Sequence, residues 1–244
     1  MKDDFSLNVI AYIESDFKTK FGIPRQSGLV PELKSKIIFT PEYRNPEALR
    51  GIEEFSHLWL IWNFSENENE HWSATVRPPR LGGNKRMGVF ATRSPFRPNP
   101  IGLSCVKLEK VIHGTPEGSV LEVSGADLLD GTPIYDIKPY IPYTDSHPNA
   151  TGGFSTAVYG DLLEVYIPSE LEKNISAEKI EPLKKILAGD PRPAYQNDSE
   201  RIYSFEFADY KIKFKVQNGI LTVTEVEDFK GKLRNCPRRN AVQN

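Results

Sequence analysis

The stretch Ile101–Ile112, IGLSCVKLEKVI, decides the fold because apolar and polar residues alternate along it. A period of two places successive side chains on opposite faces of a β-strand, so this stretch predicts a strand. A second stretch, Leu58–Phe64, is apolar apart from Asn63 and predicts a buried strand. Further short segments that predict strands are Leu7–Ile13, Lys36–Phe39, Gly88–Thr92, Ser119–Ser124 and Pro133–Tyr140. Many short strands with few helices predict a mainly β fold, either a barrel or a sandwich.

Prolines are concentrated in the middle of the chain, between these strands. Five of them are Pro78, Pro79, Pro95, Pro98 and Pro100. Because proline lacks a backbone donor and fixes φ, this density predicts loops rather than helices or central strands. One short helix is predicted at Pro46–Phe55, with Pro46 in its first turn.

The composition changes after Pro148. Residues Asn149–Ser155 are small and polar, as expected of a linker. Beyond them, Ser176–Ala188 has a helical apolar period, with Ser176 as a candidate cap and Gly189 as a stop signal. Pro182 lies inside that span and indicates either a later start or a bend.

Three strand segments follow the predicted helix: Arg201–Phe207, Lys211–Gln217 and Ile220–Val226. The last two are joined by Asn218-Gly219, a strong signal for a two-residue hairpin. We therefore predict two domains: a β domain at residues 5–148 and a small α+β domain at residues 155–244.

Charge is unevenly distributed along the 244 residues, although the net charge is only −2. From His71 to Leu108 there are seven lysines and arginines and no acid, which leaves 24 bases against 33 acids elsewhere. Trp72, Phe90 and Phe96 lie in the same segment and could stack on nucleobases. The segment indicates binding of RNA or another anion, although a solvated loop remains an alternative.

Several familiar functional motifs are absent from the sequence. Gly82–Gly88, GGNKRMG, matches neither the dinucleotide fingerprint nor the P-loop. The signatures of zinc peptidases, paired cysteines and serine hydrolases are also missing. The four histidines and two cysteines lack metal-ligand spacing, so we predict no metal site.

No segment of the sequence predicts a membrane location. The N-terminus carries two early acids and no apolar signal region. The longest apolar run, HLWLIWNF at His57–Phe64, is far shorter than the ~20 residues of a membrane span. We therefore expect a cytoplasmic protein without a membrane partner.

Four stretches together resemble the TsaA-like family, also called the TrmO or YaeB family. They are GIPRQSGLV (Gly22–Val30), RGIEEFSHLWLIW (Arg50–Trp62), TVRPPRLGGNKRMGVFATRSPFRPNPIGLS (Thr75–Ser104) and DLLDGTPIYDIKPYIPY (Asp127–Tyr143). The resemblance covers about Phe5–Pro148, and DPRPAY at Asp190–Tyr195 resembles an element of the C-terminal domain of the bacterial branch.

The resemblance implies a fold and an activity. The family's members are homodimers with a single-sheet β-barrel, unlike the common methyltransferase fold. They transfer a methyl group from S-adenosylmethionine to N6 of N6-threonylcarbamoyladenosine, next to the anticodon of threonine tRNA. This cofactor has no pyrophosphate, which accounts for the missing glycine-rich phosphate loop.

The resemblance also implies a cofactor pocket built from separate segments. Its predicted residues are Gln26, Ser27, Gly28, Leu29, Ser65, Glu66, Arg93, Leu103, Gly131, Thr132, Pro133 and Ile134. Glycine at positions 28 and 131 would allow close approach of the backbone to the adenosine. Ser27 departs from the proline that the family pattern has at this position. For Asp130-Gly131, a plain hairpin turn remains an alternative to a role in cofactor binding.

Asp136 and Lys138, in YDIKPY, are the predicted catalytic pair. Strand alternation places them on one face, where the carboxylate would accept the N6 proton and the ammonium would anchor the substrate. The carbamoyl group makes the N6 proton more acidic than that of an ordinary exocyclic amine, so a modest base suffices. A structural ion pair is the alternative.

The expected substrate carries two kinds of anion, a threonyl carboxylate and the phosphates. Arginine is the natural partner of both, and Arg93 and Arg97 are the candidates for the carboxylate. Tyr135, Tyr140, Tyr143 and Phe96 could stack on the flipped adenine or belong to the core. The predicted substrate-binding residues are Arg77, Arg80, Arg86, Arg97 and Tyr140.

Other functions remain open on sequence alone. The same barrel could methylate another RNA or a small molecule, or bind RNA without catalysis. Arg192, between two prolines, could contact tRNA or a partner subunit, or could simply help to end the preceding helix.

Overall fold

Six strands close into a barrel in the first part of the chain. The computed structural model describes residues 6–67, 72–78, 81, 85–157, 162–192 and 198–228. The strands before residue 140 are β1 (Ala11–Glu14), β2 (Lys34–Phe39), β3 (His57–Asn63), β4 (Thr75–Val76), β5 (Met87–Gly88), β6 (Ile101–Thr115), β7 (Gly118–Ser124) and β8 (Pro133–Pro139). The barrel is antiparallel, in the order β1-β2-β7-β6-β3-β8, and β4 pairs with β5 beside it. The predicted mainly β fold with a β-barrel is confirmed.

The barrel core depends on the register between β3 and β6. Leu58, Leu60 and Trp62 point inward from β3 and are buried. Trp62 lies opposite Gly102 of β6, and a Cβ atom on that glycine would overlap the indole ring. Glycine is therefore needed there because the indole fills the space that a side chain would take.

The apolar residues that open β6 lie on its outer face. Ile101 and Leu103 are exposed, whereas Ser104 and Val106 face the interior and are buried. The alternation thus correctly predicts the strand, but two of its apolar residues leave the core and line a surface cleft.

Two predicted elements differ in type from the structure, and the strand predicted at Leu7–Ile13 begins only at Ala11. In place of one helix at Pro46–Phe55, there are two 3-10 turns, Pro46–Leu49 and Ile52–Glu54. Gly51 separates them with a φ of 84°, a conformation that cannot continue a helix. The strand predicted at Gly88–Thr92 ends at Gly88, where a 3-10 turn begins.

A second sheet forms in the C-terminal part. Its strands are β9 (Glu164–Tyr166), β10 (Tyr203–Phe207), β11 (Tyr210–Gln217) and β12 (Ile220–Asp228), in the order β10-β11-β12-β9. Asn218 and Gly219 both have positive φ and form the predicted hairpin turn between β11 and β12. The helices are α1 (Pro142–Asp145), α2 (Phe154–Ala157), α3 (Ser169–Glu172) and α4 (Ala177–Ala188).

Helix α4 begins directly after Ser176 and continues through Pro182, so the later start is wrong. Its buried side chains, Leu183, Ile186 and Leu187, pack with the second sheet. None of the helices in the described ranges has the length and apolarity to cross a membrane.

The loop between β1 and β2 joins the core of the second sheet. Phe17, Val30 and Leu33 are buried in the same cluster as the residues of β10–β12. Asp16 also pairs with Lys179 of α4 at 2.6 Å, and its carbonyl accepts a hydrogen bond from the Ala208 amide at 2.7 Å. An N-terminal loop thus completes the C-terminal core, and the division at residues 148–155 stays a prediction.

Candidate functional site

A cleft of about 1030 Å³ lies beside the start of β6. Its walls come from the loop after β1, the end of β3, the loop before β6 and the loop before β8. Seven of the predicted site residues line it: Gln26, Ser65, Glu66, Arg93, Arg97, Leu103 and Thr132. The fold therefore brings together segments that are more than 100 residues apart in sequence.

Apolar surface and basic charge adjoin one another in this cleft. Phe64, Leu103 and Leu129 contribute apolar lining, and Leu103 is 51% exposed although it belongs to a barrel strand. The charged side chains that line the cleft are Lys20, Arg25, Glu66, Arg93, Arg97 and Asp127. The excess of bases favours an anionic group on the ligand.

The two predicted arginines are held differently. Arg93 is exposed and donates a hydrogen bond to the Gln26 side chain, which links two predicted site residues. Arg97 is half-buried and donates from Nη1 to the Thr92 carbonyl at 3.2 Å. Each guanidinium has five N–H donors, so both retain donors for a ligand.

Asp127 was not among the predicted site residues, yet it lines the cleft. Its Oδ1 accepts a hydrogen bond from Ser104 Oγ at 2.6 Å, and Ser104 Oγ accepts one from Trp62 Nε1 at 2.9 Å. An indole N–H can only donate, so the Ser104 proton is directed at Asp127.

Burial raises the pKa of the Asp127 carboxyl above its ordinary value, although the Ser104 hydrogen bond and the charge of Arg93 act in the opposite direction. A half-buried carboxylate that lines a cleft is a candidate for binding an amine or another hydrogen-bond donor. The sequence signal that could have indicated Asp127 is its position in DLLDGTP, just before the predicted Gly131–Ile134 segment.

The remaining predicted residues near Gly28 do not line the cleft. Ser27 Oγ accepts a hydrogen bond from the Cys105 amide at 3.0 Å, and the Gly28 amide donates to the Gly125 carbonyl at 2.8 Å. Leu29 is exposed and does not line the cleft. These contacts attach the loop that carries Gln26 to the barrel.

The turn at Gly131 has a clear structural role. Gly131 has a φ of 74°, and Asp130 accepts from the Ser15 amide at 3.0 Å and pairs with Lys18 at 2.8 Å. Of the four predicted residues here, Thr132 lines the cleft, while Gly131, Pro133 and Ile134 do not. Ile134 belongs to the barrel core.

Asp136 and Lys138 form an ion pair at 2.8 Å on the outer face of β8, outside the cleft. Asp136 is registered with Ile61 of β3, and Ile61 with Leu103 of β6. Since paired strands are about 4.8 Å apart, Asp136 lies on the same outer face as Leu103 and about two strand spacings from it. Tyr140 is half-buried and packs on Trp59, with ring centroids 5.7 Å apart.

Part of the basic segment lies outside the cleft lining. Arg77 and Arg86 are exposed near the paired strands β4 and β5. Arg80 lies outside the described residues, as do Cys236 and the end of DPRPAY. Within the described ranges, no group of three or more histidine, cysteine or acidic side chains could hold a metal ion.

Arg192 contacts an aspartate and an aromatic ring of the C-terminal part. It donates to both carboxylate oxygens of Asp190, at 2.9 and 3.0 Å, and its guanidinium lies 6.0 Å from the centroid of the Tyr203 ring. These contacts favour its interpretation as part of the turn that follows α4.

Comparison with known proteins gives a consistent result over both parts of the chain. The family model for the tRNA-methyltransferase O N-terminal domain matches residues 12–146, and that for the TrmO C-terminal domain matches residues 161–229. The tRNA (adenine(37)-N6)-methyltransferase of Escherichia coli is 40% identical over 231 residues, covering 91% of this chain and 98% of the relative.

Two further comparisons agree. A putative S-adenosylmethionine-dependent methyltransferase, RcsF, from Pseudomonas aeruginosa is 42% identical, covering 78% of this chain and 83% of the relative. A crystal structure of TrmO from Pseudomonas aeruginosa superposes with a TM-score of 0.72 at 32% identity, covering 92% of this chain and 99% of that one.

Proposed function

The chain belongs to the tRNA-methyltransferase O family, and from that premise we propose that its substrate is a threonine tRNA carrying N6-threonylcarbamoyladenosine next to the anticodon. Its activity is S-adenosylmethionine-dependent methylation of N6 of adenine 37 in tRNA. The observation that carries the substrate proposal is the cleft, where Arg93 and Arg97 adjoin apolar surface in a segment without acids. That combination suits a modified base that ends in a carboxylate.

The cleft fits S-adenosylmethionine in size and in chemistry. Pockets for small molecules span roughly 300–1,000 Å³, and this one is about 1030 Å³. Leu103 and Leu129 offer apolar surface to an adenine ring, Asp127 offers an acceptor to an amine, and Arg93 offers donors to a carboxylate. When bound, the cofactor supplies the methyl group from its sulfonium.

The predicted cofactor residues then divide into two groups. In our proposal, the residues that line the cleft contact the cofactor: Gln26, Ser65, Glu66, Arg93, Leu103 and Thr132. The others do not line the cleft and support the loops and strands that do: Ser27, Gly28, Leu29, Gly131, Pro133 and Ile134.

Arginines receive the substrate anions in this proposal. Arg97 takes the threonyl carboxylate because it lines the cleft and retains free donors beside its bond to Thr92. Arg77 and Arg86, which are exposed next to the paired strands β4 and β5, together with Arg80 take phosphates of the anticodon loop. Tyr140 stacks on a base from the outer face of the barrel.

Asp136 is proposed as the acceptor of the N6 proton, with Lys138 as its positioning partner. Their 2.8 Å pair orients the carboxylate. The pair lies outside the cleft of its own chain, so the proposal needs a second copy to complete the site. We therefore propose a homodimer, located with its tRNA in the cytoplasm, whose contact is the outer face of β3, β6 and β8.

The substrate proposal is tested by methylation of two tRNA preparations, one with and one without the threonylcarbamoyl group. We expect methyl transfer from S-adenosylmethionine to the modified preparation only. Equal transfer to both, or transfer only to another RNA or a small molecule, would contradict the proposed substrate. A protein that binds tRNA but does not bind S-adenosylmethionine in calorimetry would be a non-catalytic RNA-binding module.

The same assay tests the proton acceptor in single-turnover format. Asp136→Asn should reduce the methylation rate by about 100-fold, since general bases contribute roughly 10²–10⁴. Glu225→Gln is the matched control because Glu225 forms a surface ion pair with Lys213 at 2.9 Å on the C-terminal sheet. An unchanged rate in Asp136→Asn would show that the carboxylate is not the base.

A further inference from the structure

An exposed aromatic pair lies close to the cleft. The rings of Trp72 and Phe90 stack with centroids 6.4 Å apart and planes 22° from parallel. Trp72 is 53% exposed and Phe90 is 74% exposed. Scattered exposed apolar residues are ordinary, but two large rings that stack in solvent form a patch that suits a ligand with a flat apolar face.

The backbone beneath the pair is held in place. Thr75 and Val76 of β4 pair with Met87 and Gly88 of β5. The Val89 amide donates to the Ala74 carbonyl at 3.0 Å, and the Val89 side chain is buried. The two rings are thus presented by paired strands and a buried anchor, so little order must be gained when a ligand binds.

The pair is connected to the cleft through one backbone contact. The amide of Ser73, next to Trp72, donates to the carbonyl of Phe96 at 3.2 Å. Phe96 lines the cleft and is itself exposed. A ligand that fills the cleft and continues beyond its edge therefore meets the aromatic pair.

The charge around the pair selects the kind of ligand. Arg77, Lys85 and Arg86 are exposed on the same segment, which has no acidic residue from His71 to Leu108. Flat rings among bases match a chain that alternates aromatic bases with phosphates. A protein partner of mixed charge would not explain the complete absence of acids.

We propose that Trp72 and Phe90 form a stacking platform for a nucleobase of the bound tRNA that neighbours the target nucleotide. The neighbouring arginines and lysine hold the adjoining phosphates. This inference rests on the proposed function because it takes tRNA as the ligand of the cleft. It assigns base contacts to the two rings and leaves the cofactor to the cleft.

The test compares Trp72→Ala, Phe90→Ala and the double variant with the full-length wild type. We expect the Kd for tRNA to rise about tenfold in Trp72→Ala, since stacking contributes roughly 1–3 kcal/mol per base. The dependence of log Kd on log salt should keep its slope, because no phosphate contact is lost. Trp72→Phe should restore most of the affinity, and the Kd for S-adenosylmethionine should be unchanged in all variants.

Two matched variants sharpen the comparison. Arg77→Ala should lower the salt slope by about one, as expected for a phosphate contact. Phe55→Ala removes another exposed aromatic ring, one that lies beside Glu53 and Glu54, and should leave tRNA affinity unchanged. Fluorescence gives a direct reading, because Trp72 is exposed whereas Trp62 is buried, and tRNA should quench the wild type more than Trp72→Phe.

Two results would contradict the proposal that Trp72 and Phe90 form a stacking platform. One is a Kd for tRNA within twofold of wild type in the double variant. The other is a change of molar mass in that variant, which would identify the rings as a contact between subunits. A wild type that does not bind tRNA at all would instead contradict the proposed function.

Discussion

At the scale of single residues, Asp127 best illustrates how the fold makes a site. A serine and a tryptophan of two different strands, Ser104 and Trp62, fix one side of the carboxylate. Burial raises its pKa, which means that the charged form is destabilised until a ligand donor compensates. The fold thus holds a carboxylate whose charged form is destabilised at the place where a cofactor amine would bind.

Asp127→Asn should weaken S-adenosylmethionine binding by about ten- to a hundredfold, because hydrogen bonds to charged groups contribute roughly 1.5–3 kcal/mol. In the wild type, affinity should fall as the pH drops through the raised pKa of Asp127, and in the variant that decrease should disappear. Calorimetry between about pH 4.5 and pH 8 measures both effects. This range runs from just above the ordinary pKa of an aspartate to above neutrality.

Stability provides the control for this prediction. A carboxyl with a raised pKa in the folded state stabilises the fold only when protonated, and this contribution is lost as the pH rises through that pKa. The thermal midpoint of Asp127→Asn should therefore not fall below that of wild type at neutral pH. Asp130→Asn, next to Lys18 and outside the cleft, should leave cofactor affinity unchanged.

At the scale of elements, the outer face of β3, β6 and β8 carries exposed apolar residues. Registered neighbours on this face are Asp136, Ile61 and Leu103. Ile101 and Leu103 at the start of β6 are exposed although both are large and apolar. A sheet face with this composition is expected to be covered by another surface.

Ile61→Lys should convert the proposed homodimer to a monomer, because it places a charge at the centre of this face. Sedimentation equilibrium measures the molar mass directly. Ile38→Lys is the matched control, since Ile38 is half-buried on β2, three strands from β3 in either direction around the barrel. A dimer that persists in Ile61→Lys, or a wild type that is monomeric, would exclude this face as the contact.

At the scale of the whole molecule, the loop between β1 and β2 of the barrel also packs into the core of the C-terminal sheet. The sequence does not reveal this contact. Phe17, which precedes β2, packs on Phe207 of β10 with ring centroids 5.9 Å apart. The Asp16–Lys179 pair lies beside it. Loss of the loop would therefore expose the core of the C-terminal sheet, and the two parts should unfold together.

Phe17→Ala should destabilise the full chain by about 3–5 kcal/mol, the usual cost of deleting a buried aromatic ring. Denaturant unfolding followed by circular dichroism should show a single transition that moves to lower denaturant. Phe55→Ala serves as the exposed control and should change the midpoint little. Two separate transitions, with only one sensitive to Phe17, would show that the parts are independent.

Local patterns were sufficient for elements whose structure depends on near neighbours. Alternation in Ile101–Ile112 predicts β6, Asn218-Gly219 predicts the β11–β12 turn, and the apolar period before Gly189 predicts α4. The absence of acids from His71 to Leu108 predicts a basic surface, since charge is a property of the sequence itself. The long motifs by themselves indicate the family.

Only the tertiary structure decided which face of each strand is covered and which distant segments meet. Leu103 is outside because Trp62 fills the interior opposite Gly102, a fact of register that alternation cannot supply. Asp127 enters the cleft because Ser104 and Trp62 lie beside it, and Phe17 enters the C-terminal core because the chain returns to it. Such contacts join residues far apart in sequence, and their free energy depends on packing that no local pattern encodes.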